Sequence, residues 1–525
     1  MTIMSDFAND FADFKTPHWL TSGHFAGMLR GIEKEGLRVK PDGTLAQTPH
    51  PYKLGSKLTH PFITTDYSES LLELITEPKS TPKAALTMLR ELHLLVYKAL
   101  PDDELMWPLS MPCRLSLDDN DIPLANYGSS NTGKLKTLYR SGLGIRYGRR
   151  MQTIAGLHYN LSFGDDFFEA WHTACGSEQA YADFKNDKYL GLIRNFKRMT
   201  TLVLYLLGAS PSVNASFVAG RTHDLEQMDA TTYYKPAATS LRMGKLGYTN
   251  SVQEHLDIRY NHLPEYVDGL RRAIRTPHEG FARLGLDDEA GTPIQINNHI
   301  LQIENEYYSP IRPKQIAERG ETPTEALERH GIAYVEFRAI DLDPYSDVGI
   351  RLSSACFLEV LALYCLLTDS PDLFPEEEEA LGVNIERVVN EGRKKGLTIL
   401  LQDKEIPLET WMLKHLCKMQ PLAALLDAHH GGNEYRNAVA LMQGKAGHSE
   451  STISAQVLSD SERLGSLWQL GISLAEQHQA QILAQTLSPN TQAKYEVLAE
   501  KSVFQQADIE LDDNMDFKVF LEQYR

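Results

Sequence analysis

Glu33 and Glu35, separated by one residue, open a series of acids and one histidine that could hold a cation. The series continues with Asp66, Glu69 and Glu73, then His158 with Asn160, then Glu336 with Arg338. Most of these residues sit in short segments of alternating apolar and polar type, so the polar members of each segment share one face of a strand. A sheet face carrying that many carboxylates is electrostatically untenable without a cation on it. A divalent metal that holds nucleotide phosphates meets that demand, and the pattern is that of an enzyme.

Each segment constrains its own side chains. In Gly156–Phe163, residues Leu157, Tyr159, Leu161 and Phe163 fall on one face, which must be core, and His158, Asn160 and Ser162 on the other. His158 then either caps the solvent side of a half-buried sheet or faces a ligand. In Tyr334–Ile340, Glu336 and Arg338 project together while Val335, Phe337 and Ala339 face inward. That pair is either a surface ion pair, which contributes little, or a metal ligand beside an anion clamp. Asp341 and Asp343, next in the chain, read as turn residues with a structural role.

On a strand, Glu33 and Glu35 lie about 7 Å apart on one face. That separation suits two neighbouring metal ions, or one metal with a bridging phosphate. A carboxylate-rich site with a single histidine suits Mg²⁺ or Mn²⁺ better than zinc. Asp66, Glu69 and Glu73 have helical spacing, but SLLELIT reads as a strand, so Asp66 and Glu73 rank ahead of Glu69 as site residues.

Gly128–Lys134 matches the G-x-x-x-x-G-K pattern, but Leu135 follows where a phosphate loop needs Ser or Thr, and no strand clearly precedes it. From Lys134 to Arg150 there are six basic residues (Lys134, Lys136, Arg140, Arg146, Arg149, Arg150) and no acid. That run reads either as an anion-binding segment or as a basic surface helix. Two loop-like stretches, Thr239–Tyr248 and Glu304–Lys314, are polar, aromatic and punctuated by Gly or Pro, as substrate-pocket loops often are.

The elements that must position these groups read as α+β. Residues 1–30 form a helix-rich lead-in. Between about 31 and 350, strands such as GIEKEGLRV, ESLLELIT, GLHYNLSF, IQINNHILQIE and AYVEFRAIDL mix with helices near 82–98 and 188–207. No βαβ rhythm is visible, so the sheet is expected to be antiparallel. After Pro371 the pattern turns helical, with Glu376–Glu379 as a solvated helix start. The division is therefore a catalytic part, 1–370, and a helical region packed on it, 371–525.

The 525 residues carry a formal charge of -18, which argues against nucleic acid or an anionic membrane as partner. Five scattered cysteines, with no CxxC pair and no cysteine–histidine spacing of the zinc type, argue against a disulfide framework or a structural zinc. The start of the chain lacks an apolar signal region, and the apolar stretch 357–367, interrupted by Glu359, is too short to span a bilayer. A reducing cytoplasm is the expected location.

Taken in order, GIEKEGLRV, THPFITTDYSESLLELIT, MWPLSMPC, YGSSNTGKLKTLYR, MQTIAGLHYN, TSLRMGKLGYTN, LQIENEYYSPIRPK and YVEFRAIDLDP resemble the proteobacterial glutamate–cysteine ligases, from about residue 31 to 345. Beyond about residue 400 the resemblance is scattered. It implies a glutamine-synthetase-like fold, with a funnel-shaped active site on a curved, mostly antiparallel sheet. It further implies ATP-dependent joining of the γ-carboxylate of L-glutamate to the amine of L-cysteine, the first step of glutathione synthesis.

The resemblance carries Mg²⁺ (or Mn²⁺) ligands onto Glu33, Glu35, Asp66, Glu73, His158 and Glu336. Glutamate would be held by Gln152, Asn160 and Arg242, and cysteine by Tyr67, Tyr248 and Tyr308. Arg140 and Arg338, with Glu336, would serve the phosphoryl group in transit. Glutathione as an inhibitor and a monomeric state complete what is expected. The alternatives are the same fold acting on another amine, and a non-catalytic sensor of metal–nucleotide.

Overall fold

The computed structural model describes residues 15–247, 252–253, 256–318 and 320–524. The first fourteen residues of the anticipated helical lead-in, and Tyr248, lie outside them. Twelve strands are present among the described residues. The first five are β1 (Leu29–Val39), β2 (Ile63–Thr65), β3 (Leu71–Ile75), β4 (Leu105–Met106) and β5 (Leu157–Ser162). A small sheet follows from β6 (Ser212–Asn214), β7 (Glu226–Asp229) and β8 (Thr232–Tyr234), then β9 (Ile311–Lys314), β10 (Tyr334–Ile340) and a hairpin, β11 (Thr398–Leu401) with β12 (Lys404–Pro407).

The main sheet runs β2-β3-β1-β5-β10-β9, with β4 paired to the end of β1. Every pairing in it is antiparallel, as the missing βαβ rhythm predicts. The register sets the site. Glu35 lies opposite Glu73, Glu33 opposite His158, and Glu336 opposite both Asn160 and Arg312. Residues directly opposite in a sheet point to the same face, so β1, β3 and β10 deliver their acids, and β5 its His158, to one surface.

The other face is core. Leu157, Tyr159 and Leu161 of β5 are fully buried, as are Val335 and Phe337 of β10. Each such side chain contributes roughly 1.5–3 kcal/mol by leaving water. The Tyr181–Leu207 helix lies against β9 and β10, and the Leu352–Leu367 helix packs on it. Leu352–Leu367 is apolar on all sides, so it is buried along nearly its whole length. Its one acid, Glu359, is compensated: Arg30 of β1 donates to it at 2.7 and 2.9 Å, and the Tyr159 and Tyr435 hydroxyls each donate at 2.7 Å.

The Pro82–Ala99 helix starts where Thr81 accepts from the Ala84 amide and Pro82 fills the first turn. Beyond residue 370 the chain is helical apart from the β11–β12 hairpin. One hydrophobic cluster runs from Leu20 through Tyr495, joining these helices to the sheet. The Glu376–Glu379 run does begin a helix, Pro375–Glu391, but Glu377 and Glu378 pair with Arg198 and Lys197 rather than facing solvent alone.

Two expected elements take other forms. Residues 15–28 hold one 3-10 turn, Ser22–Phe25, in place of a helical lead-in. Residues 294–304 form no strand. There, Gln302 Oε1 accepts from the Ile296 amide, Asn297 donates to the Gln302 carbonyl, and Glu306 accepts from the Gln302 amide. Side-chain amides and an acid thus satisfy the backbone that a sheet ladder would have used.

Candidate active site

The shared sheet face opens into a cavity of about 770 Å³. Glu33, Glu35, Asp66, Glu73, His158, Glu336 and Arg338 line it, with Gln152, Arg140, Arg242, Tyr67 and Tyr308. At its centre His158 Nδ1 stands 3.2 Å from Glu33 Oε2 and 3.7 Å from Glu336 Oε1. His158 Nε2 is 4.0 Å from Glu35 Oε1. Glu33, His158 and Glu336 each offer one ligand atom within 4.8 Å of the others.

Charge and burial act strongly here. Burial and the neighbouring Asp66 push Glu35 up to about 8, against the hydrogen bond it accepts from the Gly156 amide at 2.5 Å. Glu73 is raised well above the carboxylate range by burial and by Glu33, Asp66 and Glu35. Burial opposes ionisation of Glu336 too, but Arg338 and Lys314 outweigh it and hold that carboxylate well below its usual range. Burial and then Arg338 lower His158, which favours the neutral imidazole that metals bind. Burial, the largest influence on Glu33, raises it, but the hydrogen bond with His158 and the charges of His158 and Lys314 together bring it below the ordinary value. Buried acids that repel one another call for an added cation, and their oxygens with one imidazole suit a hard divalent ion.

Cations and hydrogen bonds fix the rest. Arg338 Nη1 lies 3.2 Å from Glu336 Oε2, close enough for an ion pair though not aligned as a hydrogen bond. Arg242 is buried, 3.4 Å from Asp341, and donates to the Arg338 carbonyl at 3.1 Å. Arg140 donates to the Asp66 carbonyl and stacks over Tyr127, 4.5 Å from the ring centre. Tyr308 Oη meets Met243 Sδ at 3.0 Å. Tyr67 is buried, its hydroxyl without a hydrogen-bond partner among the described residues.

Not every nominated residue faces the cavity. Asn160 is not among the lining residues; it donates to Glu33 Oε1 at 2.8 Å and so orients that carboxylate. Glu69 points elsewhere, binding Lys57 and the amides of His50 and Asn126. Asp341 and Asp343 have structural partners in Arg242 and Arg351. The basic run splits: Lys136, Arg140 and Arg146 line the cavity, while Arg150 pairs with Asp119 at 2.6 Å and Lys134 lies over Phe517. The Gly128–Lys134 loop leads into the Asn131–Tyr147 helix, capped by Ser130, with no strand before it, so it is not a phosphate loop of the Walker type.

Arg312 and Lys314, within the Glu304–Lys314 stretch that reads as a pocket loop but assigned no role of their own there, line the cavity from β9. Arg-Pro-Lys alternates and its proline marks an edge strand, a pattern that puts both cations on one face without saying what that face meets. Lys314 Nζ sits 3.6 Å from Glu336 Oε1.

An antiparallel sheet with this order, bearing clustered acids and arginines over one cavity, defines a ligase of the glutamine-synthetase-like fold. The glutamate–cysteine ligase family model matches residues 19–388, and the chain belongs to that family. The glutamate–cysteine ligase of Alcanivorax borkumensis is 45% identical over 504 residues, 95% of this chain and 96% of the relative. That of Pseudomonas putida strain W619 is 45% identical over 498 residues, 95% of this chain and 94% of its own. The crystal structure of the Francisella tularensis glutamate–cysteine ligase in complex with AMP superposes with a TM-score of 0.89 at 35% identity, covering 95% and 97% of the two chains. The likeness therefore continues through the helical C-terminal region. No helix among the described residues is long and apolar enough to cross a membrane.

Proposed function

We propose that this cavity joins the γ-carboxylate of L-glutamate to the amine of L-cysteine, giving γ-glutamylcysteine, ADP and phosphate from ATP. One observation carries the reading: Glu33, His158 and Glu336 converge within 4.8 Å beside Arg338. Membership of the family supports the reaction, and the AMP bound by the Francisella relative supports an adenine nucleotide as substrate.

We assign Glu33, Glu35, Asp66, Glu73, His158 and Glu336 to hold Mg²⁺ or Mn²⁺. Such ions, when bound, neutralise phosphate charge and align the phosphoryl donor. The chain's own residues supply everything else. Arg338 and Arg140 grip the phosphoryl group, because a guanidinium presents two parallel donors to an oxyanion. Arg242 and Gln152 serve the glutamate, with Asn160 acting through the Glu33 carboxylate that it orients, and burial of Arg242 makes its contact with a substrate carboxylate strong. Tyr67 and Tyr308 border the cysteine.

A γ-carboxylate oxygen of glutamate attacks the terminal phosphorus and ADP departs, leaving an acyl phosphate. The neutral amine of cysteine then attacks the acyl carbon, the C–O bond to phosphate breaks, and the amine proton passes to a phosphate or carboxylate oxygen nearby. Arg338 stabilises the charge that collects on the departing phosphate. Glutathione contains the same γ-glutamylcysteine unit and is assigned as a competing inhibitor. A monomer in the cytoplasm completes the reading.

Hydroxylamine tests the intermediate, since it converts an acyl phosphate to a hydroxamate. With Mg-ATP and glutamate but no cysteine, γ-glutamyl hydroxamate should accumulate in step with ADP. Dipeptide formation with no hydroxamate at any hydroxylamine concentration would overturn the acyl phosphate route.

A further inference from the structure

The end of the chain reaches the cavity. After the Pro489–Asp512 helix, Asp513 caps the start of the Asn131–Tyr147 helix: it accepts from the Asn131 amide and, at 2.6 Å, from the Asn131 side chain. Asn131 Nδ2 also donates to the Met515 carbonyl at 2.8 Å, and Glu510 accepts from the Ser129 amide at 2.8 Å. The loop whose glycine-rich pattern looks like a phosphate cradle is thus held by the chain's own C-terminal acids.

The last helix, Phe517–Tyr524, then folds back. Leu521, 1% exposed, forms a small apolar cluster with Leu138 and Ile296, distinct from the main core. Leu135, Tyr139, Ile303 and Phe517 pack around it. Four of these residues, Leu135, Tyr139, Ile296 and Ile303, also line the catalytic cavity, and so does Tyr524. Tyr524 stands beside Phe520, ring centres 6.1 Å apart. The cavity therefore has an apolar, aromatic wall built on the C-terminal helix, in addition to its charged sheet face.

Glutamate and cysteine are small zwitterions with little apolar surface to lay on such a wall. A nucleotide has one flat apolar part, its base. Leu135 and Tyr139 alternate along the helix with Lys136 and Arg140, which also line the cavity, so a base on this wall has cations within reach of its phosphates. We propose that Tyr524 is a base-binding residue, and that the segment 513–524 is the element that gives this enzyme its grip on the nucleotide base. This rests on the ligase reading above and adds a residue to it. Stacking of a base on an aromatic ring is tolerant of the base's identity and substantial in strength.

Steady-state kinetics of full-length Tyr524→Ala and of a chain ending at Met515 test the proposal. Both should raise the KM for Mg-ATP about tenfold, equivalent to about 1.4 kcal/mol. The KM values for glutamate and cysteine should stay as in the wild type, and Tyr524→Phe should restore the wild-type KM for Mg-ATP. Calorimetric titration with Mg-ADP should give the same ranking without any turnover, so a failure of ligation and a failure of base binding are told apart. Unchanged nucleotide affinity in Tyr524→Ala would overturn the proposal. A truncated chain in which all three KM values and the melting temperature move together would overturn it too, by showing a purely structural role.

Discussion

Glu33 of β1 and His158 of β5 are register partners, and their side chains meet at 3.2 Å across the centre of the main sheet. The strand register alone thus brings a carboxylate from near the start of the chain onto an imidazole more than a hundred residues later. Glu33→Gln keeps the shape and removes the charge. Turnover should fall by about two orders of magnitude or more, the scale seen when a preorganised electrostatic partner is lost. The fold should survive, because one of several mutually repelling buried acids has been neutralised. Wild-type turnover at limiting Mg²⁺ would remove Glu33 from the metal site.

Arg242→Ala should raise the glutamate KM well above wild type and also lower stability. Arg242 is buried against Asp341, so truncation leaves that acid without its cation. Breaking a buried pair costs about 3–5 kcal/mol. Kinetics and urea unfolding on the same sample separate the two effects; an unchanged glutamate KM would take Arg242 out of the substrate pocket.

Glu359 lies behind the site, where it gathers Arg30, Tyr159 and Tyr435. Glu359→Ala should cost about 3–5 kcal/mol, since Arg30 would keep its charge in a dry interior. A loss below about 1 kcal/mol by equilibrium unfolding would mean that water enters to replace the carboxylate.

Acid should destabilise the protein before its surface acids titrate. Burial lowers His60 from 6.5 to about 4, and His50 and His415 to about 3. At these three histidines the unfolded chain therefore binds more protons than the folded one below pH 6.5. Stability is lost as pH falls from about 6.5 towards 3–4, with a slope of about 1.4 kcal/mol per pH unit for each histidine. His60→Gln should make that slope shallower; an identical slope would show that His60 contributes nothing to it.

Alternation within short segments was enough to place Glu33, Glu35, His158, Glu336 and Arg338 on strand faces, and the structure gathers them in one cavity. Period-2 patterning is a local property, so one sequence displays it. Pairing order is not local: nothing in β1 announces that it runs between β3 and β5. The 294–304 segment misled because its apolar alternation is strand-like, while Gln302 and Asn297 turn the backbone bonds onto side chains. Arg312, Lys314 and Tyr524 were missed for a related reason. A cation on an edge strand or a tyrosine near a chain end is ordinary in sequence and acquires meaning only when the fold brings it to the cavity.

The most direct test of the central claim is Mg-ATP turnover with L-glutamate, comparing L-cysteine, L-2-aminobutyrate and no amine, with products identified by mass. ADP release should be strongly stimulated by cysteine and matched by γ-glutamylcysteine. ATP binding with no stimulation by either amine, and no dipeptide, would contradict that claim.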